Sequence, residues 1–534
     1  MTRRHLLNIN TLFIAHLLVV GLVITSILPR SVVPFWTLIL AIYVLWASLE
    51  DSTAFFIRSI PFFIAIPLAA NFDSFNMWRV LSGLIFLKWL FEGGVLARLF
   101  KRFSIKSFIL ENKVSVLLSA LLLLAILSVT QATSITLAVK RIIYFVNLSL
   151  IGFVVYDLVR RDRNFSRCLI KNIAIPTIIV TIVGIAQLAS VYFLDIFQFV
   201  DFWAKRVELG LFGSAWANIA LHANTWFAYY GDQLSLRVFS LFPDSHSFPI
   251  FLLLGLPAIF AISFAKLFGG KAGGLTHGST TESLKSLFFK RVGIWVLFVP
   301  LVFLAAILSG TRGIWAASMG AILAVFGGIW FLKRSRAGEK QLVILKYISS
   351  YLLLFFLLFG VAYFIFASDQ FQVQKSDVAM FSKRVKSVID ISETSNARRL
   401  EIWQDSIRSI IKHPLLGIGI GNFPVVVGED LAQAKAGSSA HNLYLNIAAE
   451  MGVPALLVTL WFLWLLLKKT FLNFLNAKRS TLNAVYFAAL LIFLPWVLVY
   501  SLTDVAIFDE RAFLLFVATC ALIFGQNETD REAG

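Results

Sequence analysis

The chain has 534 residues, of which 59% are hydrophobic and only 14% charged, with a mean hydropathy of +0.83. A soluble domain of that size needs far more charge on its water-facing surface, so composition excludes a soluble enzyme. The formal net charge of +18 does not indicate nucleic acid here. The basic residues gather in short loops between apolar runs, as membrane topology requires.

The N-terminal Thr2-Arg-Arg-His5 is followed by an apolar run with no small-x-small cleavage site, so it reads as a retained first helix rather than a leader. Candidate spans lie at 11–28, 32–48, 53–70, 77–97, 113–131, 139–158, 170–193, 247–265, 292–309, 314–332, 342–366, 452–467, 482–502 and 505–524. That is about fourteen, or twelve if a pair of short early runs forms a hairpin that fails to cross. The expected fold is an all-α integral membrane protein, a polytopic bundle of about 12–14 transmembrane helices. Cys168 and Cys520 have no partner spacing, which argues against a disulfide framework or a zinc site. Lys88 and Glu92, one helical turn apart within a span, read as a structural pair.

Topology follows from Lys and Arg placement. With the N-terminus inside, the clusters at Lys101 to Lys106, Arg160 to Arg163, Lys266 to Arg291, Lys333 to Lys340 and Lys468 to Arg479 all fall on one side. Both termini are then cytoplasmic. The chain divides into N-terminal helices (1–193), an outer loop (194–246), central helices (247–366), a long outer loop (367–451) and C-terminal helices (452–534). Residues 269–286, rich in Gly, Ser and Thr, read as an inner linker.

The outer loops hold the informative polar residues. Arg237 stands in Leu236-Arg-Val-Phe-Ser-Leu-Phe-Pro243-Asp244, just before a span. Arg312 stands in the turn Gly310-Thr-Arg-Gly313 between two spans, and outer turns are poor in arginine. His441 stands in Ser438-Ser-Ala-His-Asn442-Leu-Tyr444, ahead of Glu450-Met-Gly452. His246 and His222 lie on the same side and are rivals without a motif. Histidine titrates near neutrality and can accept a proton from a hydroxyl. The helix Arg398–Lys412 is expected along the interface, with Leu400, Trp403, Ile407, Ile410 and Ile411 on its buried side and Arg398 and Arg399 facing headgroups or glycan. Lys140 and Arg141 begin a span on the outer side and add to the basic set. Gly417-Ile-Gly-Ile-Gly421 mimics a dinucleotide fingerprint, but no strand precedes it, so it reads as a flexible turn after a helix.

From Asn396 to Leu467 the order of elements resembles the O-antigen ligase and polymerase family of bacterial membrane proteins. It runs Arg398-Arg399…Trp403, then His413-Pro-Leu-Leu-Gly417-Ile-Gly-Ile-Gly421-Asn-Phe423, Ala440-His-Asn442-Leu-Tyr444, and Glu450-Met-Gly452 before an apolar helix. The family has an arginine followed by a G-x-F-x-x-P-N-like turn, which matches at Arg237, with Ser240 for the usual glycine and Asp244 for the usual asparagine. Its S-x-S-R-G-like turn matches at Arg312.

The resemblance implies a large membrane glycosyltransferase (GT-C-like) architecture in a bacterial inner (cytoplasmic) membrane. It implies transfer of a glycan from an undecaprenyl-pyrophosphate carrier to a hydroxyl acceptor at the outer face, the acceptor being lipid A core, another glycan or another hydroxyl. Arg237 and Arg312 would hold the pyrophosphate, because arginine forks onto phosphate oxygens and remains charged as the leaving group forms. His441 would be the base or would orient the acceptor, with Asn442, Tyr444, Glu450, Arg398, Arg399, Lys140 and Arg141 as secondary candidates. The outer loops contain no Asp-x-Asp metal motif, and neither metal, cofactor nor nucleic acid is expected. A ligase and a polymerase share these motifs. A transporter of lipid-linked glycan is the rival from another class, and it should place ionisable residues at mid-membrane. A third reading is a non-catalytic scaffold of a glycan-assembly complex.

Overall fold

The computed structural model describes residues 8–68, 75–92, 113–214, 217, 226–230, 233–269, 293–334, 339–366, 368, 394–429, 438–477 and 481–526. Its principal helices are α1 (Ile9–Ile24), α2 (Val33–Trp46), α3 (Leu49–Ser59), α4 (Met77–Glu92), α5 (Lys113–Ser128), α6 (Ile135–Arg161), α7 (Arg163–Ser190) and α8 (Ser247–Gly269). They continue with α9 (Phe298–Leu308), α10 (Arg312–Arg334), α11 (Glu339–Phe366), α12 (Thr394–Lys412), α13 (Leu443–Asn476), α14 (Thr481–Tyr500) and α15 (Glu510–Gly525). Among the described residues the only sheet is the antiparallel hairpin of β1 (Phe227–Tyr230) and β2 (Gln233–Leu236). The protein is therefore a polytopic helical membrane bundle.

Eight described helices are long and apolar enough to cross a bilayer: α5 with the turn that extends it to Gln131, α6, α7, α8, α10, α11, α13 and α14. The expected spans 11–28, 32–48, 292–309 and 505–524 form the shorter helices α1, α2, α9 and α15. The longest of these, at 16 residues, reaches about 24 Å at ~1.5 Å per residue, short of the ~30 Å hydrocarbon core. The stretch 53–70 differs from expectation. α3 stops at Ser59, Ile60-Pro61-Phe62 makes a 3-10 turn, and the chain runs on extended to a bridge between Ala65 and Asn76. Pro61 supplies no amide donor, so a break lies inside an apolar run that hydropathy alone reads as one span. Residues 93–112 and 270–292, with the expected basic loop and inner linker, lie outside the described residues.

Lys88 is within 4.0 Å of Glu92 as expected, but its main work is elsewhere. Its ammonium donates to the carbonyls of Val44, Leu45 and Ala47. Those are the orphan acceptors at the end of α2, so a buried cation closes a helix terminus.

The helices have two chemically distinct ends. α6, α8, α10 and α13 carry Arg160-Arg161, Lys266, Lys333-Arg334 and Lys468-Lys469 near their C-terminal ends. Their N-terminal ends are tied together by hydrogen bonds. Ser134 N donates to Asn422 Oδ1 (2.7 Å), Thr311 Oγ1 to Ser245 O (2.7 Å) and Leu443 N to Ser501 O (2.8 Å). α14 runs the other way and delivers Tyr500 and the following turn to that same end, packed between α8, α10 and α13. The loops singled out in the sequence thus meet at the end opposite the basic clusters.

Candidate functional site

Around the turn Ser501-Leu-Thr-Asp504 the chain assembles its polar groups from four segments. The first is the turn after β2. Arg237 N donates to Trp226 O (2.7 Å) and Val238 N to Leu308 O (3.0 Å), fixing this segment against the end of α9. Ser240 adopts φ 56°, the left-handed conformation that glycine usually supplies. It is held there because Gln187 Oε1 accepts from the amides of Phe239 (2.8 Å) and Ser240 (3.0 Å), while Ser240 Oγ donates to Val180 O (2.7 Å). Asp244 Oδ1 accepts from the amides of His246 (2.8 Å) and Ser247 (2.7 Å), so it caps α8 as an asparagine would.

His246, at the start of α8, is the hub. Its Nε2 lies 3.3 Å from Arg237 Nη1, and its Nδ1 lies 2.9 Å from Asp504 Oδ2 and 3.3 Å from the Tyr500 hydroxyl. A guanidinium can only donate, so Nε2 is an acceptor and Nδ1 carries the proton toward the carboxylate. Burial by itself raises the Asp504 carboxyl, but hydrogen-bonded His246, with His441 and Arg399 nearby, holds it well below the usual carboxylate range.

The second contribution is Arg312, the first residue of α10. Its neighbours on both sides are pinned at the site: Thr311 bonds Ser245 O, and a Cβ on Gly313 would fall 2.3 Å from Thr503 Oγ1. Arg312 therefore leaves the backbone between the residues adjoining His246 and Asp504.

The third is His441, at φ 46°. Trp403 Nε1 of α12 donates to Ala440 O (2.9 Å), Ala440 N donates to Asn446 Oδ1 (3.1 Å), and Leu443 N binds the Ser501 carbonyl. Its Nδ1 is buried without a hydrogen-bond partner among the described residues. Burial lowers the imidazole's pKa, Asp504 pulls it partly back, and Arg399 and His246 press it down further. The net direction is down, leaving a neutral base. Arg399, half-buried on α12, is thereby the fourth participant.

The secondary candidates divide by what they touch. Asn442 caps α13, accepting from the amides of Tyr444 (3.0 Å) and Leu445 (3.1 Å), and the Tyr444 hydroxyl donates to Leu498 O (2.9 Å). Glu450 is buried and accepts from the amides of Gly421 and Phe423 and from Asn446. All three shape the loop that presents His441. Arg398 is exposed and pairs with Glu401 at 3.1 Å. Lys140 is exposed, and Arg141 lies over the rings of Tyr144, Phe145 and Phe508. His222 lies outside the described residues. On α12, Ile402 and Ile410 pack under the loop with Phe423, Ala440 and Ala449. Leu400, Ile407 and Ile411, expected on the buried side, are not covered by the rest of the protein. The protein-facing side is fixed by Ile402, Ser406 and Ile410, spaced one turn apart.

The glycine-rich turn is packed rather than loose. Gly417, at φ 64°, lies so close to the Ala449–Glu450 backbone that a Cβ would come within 2.4 Å of it. Gly452, at φ 84° and ψ 170°, breaks α13 into two helices, and its Cβ would lie 2.2 Å from Leu415 O. Alanine at Gly452 is therefore expected to cost about 2–4 kcal/mol, combining left-handed strain with backbone contact. A fall in the thermal transition of the detergent-purified protein checks this. Alanine at Gly327, where nothing lies within 4 Å of a Cβ, should leave the transition unchanged.

Asp504 and Tyr500 are absent from the sequence-based set, and His246 enters it only as a rival. One signal was available: an aspartate in the short connection between two apolar helices, on the same side as Arg237 and Arg312. Among the described residues, no three His, Cys, Asp or Glu side chains are grouped to hold a metal ion.

With this geometry in place, comparison with protein families finds that residues 297–460 match the O-antigen ligase family. The segment similar to this family is one domain, less than a third of the chain. That domain runs from just before α9 into α13, and includes Arg312, Arg398, Arg399, His441, Asn442, Tyr444 and Glu450. Arg237, His246 and Asp504 lie outside the matched O-antigen ligase segment but complete the same cluster. Enzymes of that family join glycans by ligation or polymerisation, and residues 297–460 are what this chain shares with them. No curated protein matches the chain.

Proposed function

We propose that the protein transfers a preassembled glycan from an undecaprenyl-pyrophosphate carrier to an acceptor hydroxyl, in the manner of an O-antigen ligase. The reaction takes place at the outer face of the bacterial inner membrane, with both termini cytoplasmic. The observation that carries this reading is the gathering of His441 and Arg399 around the buried Asp504 carboxylate, with Arg237 joined to it through His246 and the Arg312 backbone held beside them, at the end of the bundle opposite its Lys/Arg-rich helix ends. Basic helix ends mark the cytoplasmic side, so the cluster faces outward at headgroup depth, where a polyprenyl pyrophosphate presents its charge.

Neutral His441 takes the proton of the acceptor hydroxyl as that oxygen attacks the anomeric carbon. A new glycosidic C–O bond forms while the bond from the anomeric carbon to the phosphate oxygen breaks. Undecaprenyl pyrophosphate departs with the electron pair. Arg237 and Arg312 stabilise the charge growing on it, needing no divalent ion for that task. Polymerisation uses the same step with a lipid-linked repeat as acceptor.

The test is transfer by the purified protein from synthetic lipid-linked donor to acceptor. Arg237→Lys and Arg312→Lys keep charge but lose the bidentate fork, and each is expected to lower kcat/KM by about 10- to 100-fold. Wild-type rates from both lysine variants would remove the pyrophosphate role. Accumulation of unflipped donor in cells carrying Arg312→Ala would point to transport instead.

A further inference from the structure

A second pair of arginines stands at the same end of the bundle, apart from the cluster around Asp504. α4 and α6 run side by side in the same direction: Ser82 Oγ bonds Asn147 Oδ1 (3.3 Å), and Trp89 Nε1 donates to Asp157 Oδ2 (2.6 Å). Their first turns therefore lie together. The Arg79 guanidinium sits 4.6 Å from the Trp78 ring centre and 5.4 Å from that of Tyr144. The Arg141 guanidinium sits 5.5 Å from the same Tyr144 ring, 5.1 Å from Phe145 and 5.9 Å from Phe508.

Aromatic rings hold the faces of these guanidiniums, and among the described residues no hydrogen bond or ion pair engages their N–H edges. Arg79 Nε is buried without a partner. The three acids in their surroundings are otherwise engaged. Asp509 accepts from the amides of Arg511 (3.0 Å) and Ala512 (3.2 Å). Glu510 accepts from Asn76 Nδ2 (2.9 Å) and Trp78 Nε1 (2.6 Å), and Glu450 accepts from the amides of the glycine-rich turn. Two stacked guanidiniums sharing one ring, with their donors directed elsewhere, suit a phosphate group.

We propose that Arg79 and Arg141, gathered on Tyr144, form a second anion site that takes the phosphate of a lipid-anchored acceptor. This rests on the glycan-transfer reading and specifies its acceptor class. The Tyr144 hydroxyl donates to Phe508 O (2.9 Å), and Phe508 lies four residues from Asp504, a path of at most about 14 Å. One short connection thus has the His441 cluster at one end and the second arginine pair at the other. Next to Arg141, α6 exposes Val139, Ile143 and Val146, so a lipid tail can lie along the helix while its phosphate reaches the arginines. A neutral glycan or a protein acceptor would have no use for this pair.

The experiment counts bound lipid on the full-length protein in phosphatidylcholine nanodiscs by native mass spectrometry, with undecaprenyl pyrophosphate as probe. Wild type is expected to bind two equivalents, and R79Q/R141Q and R237Q/R312Q one each. The retained equivalent shows that each variant is folded. In transfer assays R79Q/R141Q should raise KM for a phosphate-bearing acceptor at least tenfold and leave KM for the donor unchanged. A single equivalent on wild type, or two on R79Q/R141Q, overturns the proposal. So does displacement of the second equivalent by equimolar phosphatidylglycerol, which would make the site a general headgroup contact. If no transfer occurs under any condition yet R79Q/R141Q still loses one equivalent, the transfer reading fails while the phosphate site stands.

Discussion

Replacing His441 with alanine is expected to reduce the transfer rate by about 10²- to 10⁴-fold, the usual loss when a general base is removed. Binding of the lipid-linked donor should survive, because the side chains assigned to the pyrophosphate are Arg237 and Arg312. The pH profile gives a second readout. Burial, with Arg399 nearby and against the pull of Asp504, lowers the His441 pKa from its ordinary 6.5, so the imidazole remains neutral into mildly acidic solution. The rate should therefore hold level at neutral pH and fall only below about pH 6.5, as His441 takes up a proton and can no longer accept one. His441→Gln keeps size and polarity but cannot act as a base, so it should behave like alanine. A glutamine variant with near wild-type kcat would leave His441 as a binding residue only.

The sequence made the membrane bundle legible because apolar runs of bilayer length are a one-dimensional signal. What it concealed were breaks inside such runs. The stretch 53–70 reads as one span, yet Pro61 and the pairing of Ala65 with Asn76 turn it back. The motif stretch from Arg398 to Gly452 was legible because its parts lie close in sequence. Arg237 and Arg312 stood out because an arginine at the end of the bundle opposite the basic clusters needs a reason. Asp504 did not, since its meaning arises only when the chain brings it to His246, 258 residues away. Likewise Ser240 and Asp244 depart from the family's glycine and asparagine, and the turn survives because Gln187 and Val180 on α7 hold Ser240 while Asp244 caps α8.

Asp504→Asn is expected to lower kcat by about 10²- to 10⁴-fold, the range seen when a carboxylate that fixes a histidine tautomer is neutralised. In the native protein the order is fixed: Asp504 accepts from His246 Nδ1, which leaves Nε2 free to accept from Arg237. An asparagine can present its NH2 group to Nδ1 instead. The proton then moves to Nε2, which opposes two donors across the 3.3 Å contact to Arg237 and turns the guanidinium away from its post. The substitution also removes the negative charge that draws the His441 pKa upward, so His441 becomes a weaker base. Ground-state affinity should move the other way. With one less negative charge among Arg237, Arg312 and Arg399, the pyrophosphate of the donor meets a more positive site, so its Kd should stay level or tighten, whereas Arg237→Ala should weaken it. His246→Gln, whose carbonyl can still accept from Arg237, should retain more activity than His246→Ala. Parallel losses of kcat and donor affinity in Asp504→Asn would mean that the carboxylate only holds the turn together, and the chain from Asp504 through His246 to Arg237 would have no part in the transfer.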